Sequence, residues 1–173
     1  MTPNDRYTFQ HKLNTPRDKL FNYFKDNVDT KTHPDVEYIN LLSKEEHDDM
    51  TVTILNQKLR DTSKFLCKIP SVGEKIFNSK TNIVWDNANF ITITTVEPND
   101  GELYKLVATA IYLKDDANKT IVHHDVEIFL SEKSALYFIL LPFIDQVKSY
   151  IFERIKNDSK IMLEGMADII GQS

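Results

Sequence analysis

Glycine is scarce in this chain, with four among 173 residues. That excludes glycine-rich phosphate loops, since neither GxGxxG nor GxxxxGKS/T occurs. Cys67 is the single cysteine, so no internal disulfide can form, which fits a reducing compartment. Long apolar runs are missing. The densest apolar cluster, Ala135 to Ile144, is too short to span a bilayer, so no integral membrane association is expected. The first residues include Asn4, Asp5 and Arg6 and lack the apolar core of a signal peptide, so a cytoplasmic location is expected. Without a secretory signal, the glycosylation-like triplets Asn118-Lys119-Thr120 and Asn157-Asp158-Ser159 read as chance matches. Positive charge is in deficit. Lys and Arg number 21 against 26 Asp and Glu, and the net charge of −5 argues against a general nucleic-acid surface.

The apolar fraction of 41% and charged fraction of 27% are ordinary for a globular protein. The length suits one domain, residues 1–173, with a sizeable core. No internal repeat or linker is visible. Arg6 to Leu13 alternates, with Tyr7, Phe9, His11 and Leu13 on one face, and predicts a half-buried strand. Asn14-Thr15-Pro16 is a helix start, and Leu20, Phe21, Phe24 and Val28 follow at helical spacing, predicting a helix over 16–28. A connection with His33-Pro34 leads to a strand over 36–42, a charged turn over Lys44–Asp49 and a strand over 50–59. A short strand is expected over Lys64–Ile69, and Pro70–Ser79 fits either a helical turn or a broken strand. Further strands are expected over 82–86, 90–96, 103–113 and 120–130. Turns at Asp86–Asn89, Pro98–Gly101 and Asp115–Lys119 separate them, and the last two strands form a hairpin.

The chain closes on one long amphipathic helix over about 141–170. Leu140, Ile144, Val147, Ile151, Ile155, Met162, Met166 and Ile169 recur every three or four residues, except across Asp158. Pro142 stands where a first-turn proline is tolerated. Arg154 lies off the stripe. Asp158 projects into it if the helix is straight. The preferred reading is a break, because Asn157-Asp158-Ser159 are cap-forming residues and a second helix can start there. The sharper reading is a carboxylate facing a cavity. Met162 and Met166 are core filler on one reading and an adaptable pocket surface on the other.

Strand, short helix, antiparallel strands and long helix make an α+β order. It resembles the START-like, or SRPBCC, superfamily and its helix-grip fold. The resemblance is carried by Tyr7 to Leu13 leading into Thr15-Pro16-Arg17-Asp18-Lys19-Leu20-Phe21-Asn22-Tyr23-Phe24, and by His33-Pro34-Asp35-Val36 at the entry to the second strand. It is topological and covers nearly the whole chain. It implies a curved antiparallel sheet of about six or seven strands wrapped around the C-terminal helix, with one or two short helices after the first strand. An extra short element between Cys67 and Asn82 departs from the pattern. The resemblance also implies an elongated apolar cavity between sheet and helix for lipids, sterols, polyketides or similar molecules. Some members are cyclases or hydrolases, some are carriers, and some are co-chaperone modules. No catalytic residue carries over, because the superfamily has no universal ones.

The chemistry-bearing residues are weighed against plainer roles. His123 and Asp125 share a strand face and His124 does not, and two ligands are too few for a closed metal site, so no metal is expected. If His124 faces inward beside Val122, Val126 and Ile128, it can orient a polar ligand group. Cys67 lacks a nucleophile-elbow context and reads as a small buried hydrophobe. Asp125 and Glu127 are expected to be exposed, since burying two charges together is costly. The aromatics do not interleave with basic residues as a base-stacking platform requires. The leading expectation is a non-enzymatic binder of a hydrophobic small molecule, without cofactor, monomeric by default. Its cavity is expected to be lined by Phe24, Trp85, Tyr104, Tyr112, His124, Ile144, Val147, Ile151 and Ile155. The alternatives are an enzyme using cavity Tyr, His or Asp, and an interaction module with a collapsed cavity. An apolar patch of Phe143, Tyr150 and Phe152 would mark the module.

Overall fold

Alternation sets the first strand. In β1 (Asp5–Leu13), Tyr7, Phe9, His11 and Leu13 turn toward the interior, and the residues between them are exposed. The computed structural model describes residues 5–28, 36–60, 78–99, 104–132 and 135–172. Helix α1 (Arg17–Asp26) follows Pro16 and buries Leu20, Phe21 and Phe24. Six strands follow: β2 (Val36–His47), β3 (Met50–Leu59), β4 (Asn78–Asp86), β5 (Ile91–Pro98), β6 (Tyr104–Asp116) and β7 (Lys119–Leu130). Short helix α2 (Ala135–Leu140), a 3-10 turn (Leu141–Phe143) and long helix α3 (Ile144–Gln172) complete the chain.

The strands form one antiparallel sheet in the order β1-β7-β6-β5-β4-β3-β2. The first strand pairs with the last, placing Phe9 opposite His124. The inner face of the sheet holds α1 and α3. Two packed cores form there. One gathers Leu13, Leu20, Phe21, Trp85, Met162, Leu163 and Met166 under α1 and the C-terminal part of α3. The other gathers Tyr104, Leu106, Val126, Ile128, Leu140 and Val147 at the start of α3.

Four local expectations are corrected. The charged turn over Lys44–Asp49 is mostly strand, because β2 runs to His47. On an edge strand such charges stay solvated, and Lys44 pairs with Asp26 and Glu46. The strand expected from Phe90 begins at Ile91, and Phe90 takes φ 57° in the turn. Residues 135–140, which precede the helix expected from about 141, are already helical. The helix break at Asn157–Ser159 does not occur, and α3 is continuous. There Ser159 Oγ donates to the Lys156 carbonyl at 3.0 Å and Arg154 takes the Asp158 carboxylate. The side chains that could have capped a new helix are thus used within the existing one. The expected His33-Pro34 turn, the strand around Cys67 and most of the segment before β4 lie outside the described residues. Among the described residues, no helix is long and apolar enough to cross a membrane.

Candidate functional site

Between the two cores the sheet and α3 do not close on each other. They leave a cavity of about 250 Å³. One turn after another of α3 supplies its helical wall: Tyr150, Ile151, Arg154, Ile155, Asp158, Ser159 and Met162. Successive positions lie alternately one and three residues apart, so that residues four apart stack along a single helix face. The sheet wall comes from the inward positions of successive strands. Leu55, Gln57 and Leu59 lie on β3, and Thr81 and Ile83 on β4. Thr92, Thr94 and Val96 come from β5, and Tyr104, Leu106, Ala108, Ala110 and Tyr112 from β6. His124 enters from β7, and Phe24 and Val28 close the α1 side.

The lining is mainly apolar. Its polar groups are held in specific ways. The buried Tyr112 hydroxyl bonds the Thr92 side chain, and burial raises its pKa. Arg154 is nearly enclosed, with 9% side-chain exposure, and its Nε faces Asp158 Oδ2 at 3.4 Å. Its Nη1 donates to the Tyr150 hydroxyl at 3.2 Å, and its Nη2 to the Arg60 carbonyl at 2.9 Å. A charge inside a largely apolar wall needs such a partner and such bonds. Ser159 Oγ also lies 3.1 Å from His11 Nε2. The same hydroxyl is within hydrogen-bond distance of the Lys156 carbonyl, so it links the helix backbone to the His11 ring. Burial lowers the His11 pKa.

His124 is 8% exposed. Its ring stacks on Phe9 at 4.6 Å and meets His11 edge-on at 5.3 Å. Burial, then the neighbouring His11 and His123, push its pKa down to about 3, so the imidazole is neutral. Its Nε2 is buried and has no partner among the described residues. His123 and Asp125 stand on the other face, where Asp125 pairs with Arg6. Among the described residues, no three His, Cys, Asp or Glu side chains gather in a way that could hold a metal ion.

The structure brings Phe24, Tyr104, Tyr112, His124, Ile151 and Ile155 together around the cavity. Trp85, Ile144 and Val147 stand elsewhere. Trp85 is packed edge-on against Phe21 and Phe24 and donates to Thr53 Oγ1 at 3.2 Å. Val147 and Ile144 pack in the core at the start of α3, where helix and sheet are in contact. Sharing a helical stripe does not give residues the same depth along a helix this long. Arg154, expected off the apolar stripe, lines the cavity beside Asp158. The signal available in the sequence was its four-residue spacing from Asp158, which puts the two on one side of the helix. The suspected surface patch is not one surface: Phe143 is exposed, Tyr150 lines the cavity, and Phe152 stacks on Tyr7 at 4.1 Å.

No protein-family model matches the chain, and no curated protein does. Solved structures do. The Zhui aromatase/cyclase from Streptomyces sp. R1128 superposes with a TM-score of 0.66 at 11% identity, over 95% of this chain and 92% of that one. Norcoclaurine synthase from Thalictrum flavum gives 0.63 at 8% identity, over 98% and 87% of the two chains. A START superfamily protein from Mycobacterium smegmatis gives 0.57 at 9% identity, over 95% and 98%. At such identities the likeness speaks to architecture, and with the seven-stranded sheet and long closing helix it establishes that the chain has the helix-grip fold of START-like (SRPBCC) proteins.

Proposed function

We propose that this protein binds a hydrophobic small molecule in the cavity between sheet and α3. The observation that carries the reading is the gap between two packed cores, walled mainly by apolar side chains. An engineered apolar cavity of about 150 Å³ takes up benzene. The larger cavity here suits one or two rings, or a short acyl chain. Each ligand CH₂ removed from water contributes about 0.8 kcal/mol, and the few polar lining groups set orientation. Two structural neighbours are named as an aromatase/cyclase and a synthase, so small-molecule chemistry occurs on this architecture.

The test is titration with a neutral naphthylamine dye, N-phenyl-1-naphthylamine, whose emission rises in apolar surroundings. The wild-type protein is expected to bind it saturably. Ala108→Phe, which pushes a ring into the cavity from β6, is expected to weaken binding at least about tenfold, since about 1.4 kcal/mol is a factor of ten. Melting temperatures check that the variant is folded. Dye emission unchanged by wild-type protein, or equal binding by the filled variant, contradicts the proposal.

A further inference from the structure

We infer that Ser159 and His11 form a nucleophile–base pair in the cavity wall that cleaves small, uncharged esters of hydrophobic alcohols. The inference rests on the cavity-binding reading above and adds a reaction to it.

The first support is geometric. Ser159 lines the cavity from α3, and its Oγ lies 3.1 Å from Nε2 of His11 on β1. A hydroxyl and an imidazole within hydrogen-bond reach are the working parts of an activated serine. The base also has to be held in place. The His11 ring meets Phe9 and His124 edge-on, each at 5.3 Å, so packing on both sides sets its orientation. A serine inside a helix commonly bonds back to the preceding turn, and the Lys156 carbonyl is 3.0 Å from this oxygen. Rotation about the C–O bond swings the hydroxyl proton between that carbonyl and the ring.

The second support is the surrounding chemistry. Burial, the largest influence on His11, lowers its pKa, with Glu164 opposing and Lys160 and Lys156 assisting. The imidazole is therefore neutral at pH 7 and able to take a proton. Ile151, Ile155 and Met162, on the same face of α3, offer the apolar surface against which such an ester seats. Donors in the same wall, the Arg154 guanidinium and the Tyr150 hydroxyl, suit the negative charge that develops on the attacked carbonyl oxygen. In the reaction, Ser159 Oγ attacks the carbonyl carbon and its proton passes to His11 Nε2. The bond from that carbon to the alcohol oxygen breaks, and the departing alcohol takes the proton. Water then attacks the acyl carbon and gives a proton to His11. The carboxylic acid leaves as Ser159 regains that proton.

The experiment offers the intact protein 2-naphthyl acetate at pH 7 and follows the release of fluorescent 2-naphthol. Wild-type protein is expected to release it at least about tenfold faster than an equal concentration of free imidazole. Ser159→Ala and His11→Gln are expected to fall to the imidazole rate while still binding N-phenyl-1-naphthylamine. A parallel incubation uses diethyl 4-nitrophenyl phosphate, which phosphorylates activated serines. Fragmentation mass spectrometry is expected to place a diethylphosphoryl group at Ser159. That label is read on the wild-type chain, so it does not depend on how the variants fold. No label at Ser159, or naphthol release unchanged in Ser159→Ala, overturns the pair, and dye binding by the wild type then leaves the cavity reading standing. Failure of the wild type to bind the dye overturns both.

Discussion

His124 is a buried titratable side chain in the wall of the cavity. Its pKa is about 3 in the folded protein, against about 6.5 in an unfolded chain. Between those values the unfolded chain takes up a proton that the folded one does not. Stability from this group is therefore complete above about pH 6.5 and is lost as pH falls toward 3. The slope is at most about 1.4 kcal/mol per pH unit. Urea melts at pH 7, 5 and 4 should show wild type losing stability more steeply than His124→Leu. Parallel curves would mean that the imidazole is not held neutral by burial. The pair Arg154–Asp158 gives a second prediction. Asp158→Leu leaves the guanidinium enclosed without its carboxylate and should cost about 1–3 kcal/mol, given that the Asp158 side chain is 30% exposed. Adding Arg154→Met should restore at least half of the loss, because apolar replacement of an enclosed pair is often neutral. Thermal melts of both single variants and the double variant check it. At this scale the sequence was only partly legible. Alternation grouped His124 with Val122, Val126 and Ile128, but which face of β7 turned inward depended on the whole sheet. Asp158 was visible as an exception in the stripe, yet cap-forming neighbours favoured a break. What decided the matter was Arg154, whose guanidinium gives the carboxylate a partner inside the continuous helix.

At the scale of elements, periodicity was a good guide and turns were a poorer one. β1, α1 and the main strands follow from alternation and three-four spacing. Phe90 shows why boundaries are harder. A bulky aromatic at φ 57° is rare, so a strand start was the natural reading. It is held there by tertiary contacts that no local window contains: its ring lies 5.3 Å from Phe21 and under the Arg17 guanidinium at 3.7 Å, and its carbonyl accepts from Tyr112 N–H. α3 supplies a direct prediction. Gly165 lies in its interior, and a Cβ there would meet nothing within 4 Å. Gly165→Ala should raise stability by about 0.5–1 kcal/mol, since glycine is that much less favourable in a helix interior. Denaturant midpoints at constant slope would show it. A loss of stability would mean that α3 bends or closes there as alanine does not permit.

At the scale of the molecule, the order of elements carried the architecture. A strand, a proline-started helix, antiparallel strands and a long amphipathic helix have few ways to bury their apolar faces together. The sheet order, with β1 joining β7, completes the surface against which α3 lies. What the sequence could not show was where that contact opens. The apolar stripe of α3 runs with similar chemistry past Val147, Ile151, Ile155 and Met162. Of these, Val147 is buried in one core, Ile151 and Ile155 face the gap, and Met162 stands where the gap meets the other core. Depth of packing depends on sheet curvature, which no single residue encodes. The gap between the cores is the proposed ligand site. Native mass spectrometry of the freshly purified protein, followed by organic extraction, puts that to the test. A reproducible added mass that extraction releases is expected, belonging to a hydrophobic compound of one or two rings or a short chain. A protein that carries no added mass, and gains none when offered a panel of small aromatics and short-chain fatty compounds, would overturn the ligand-site reading.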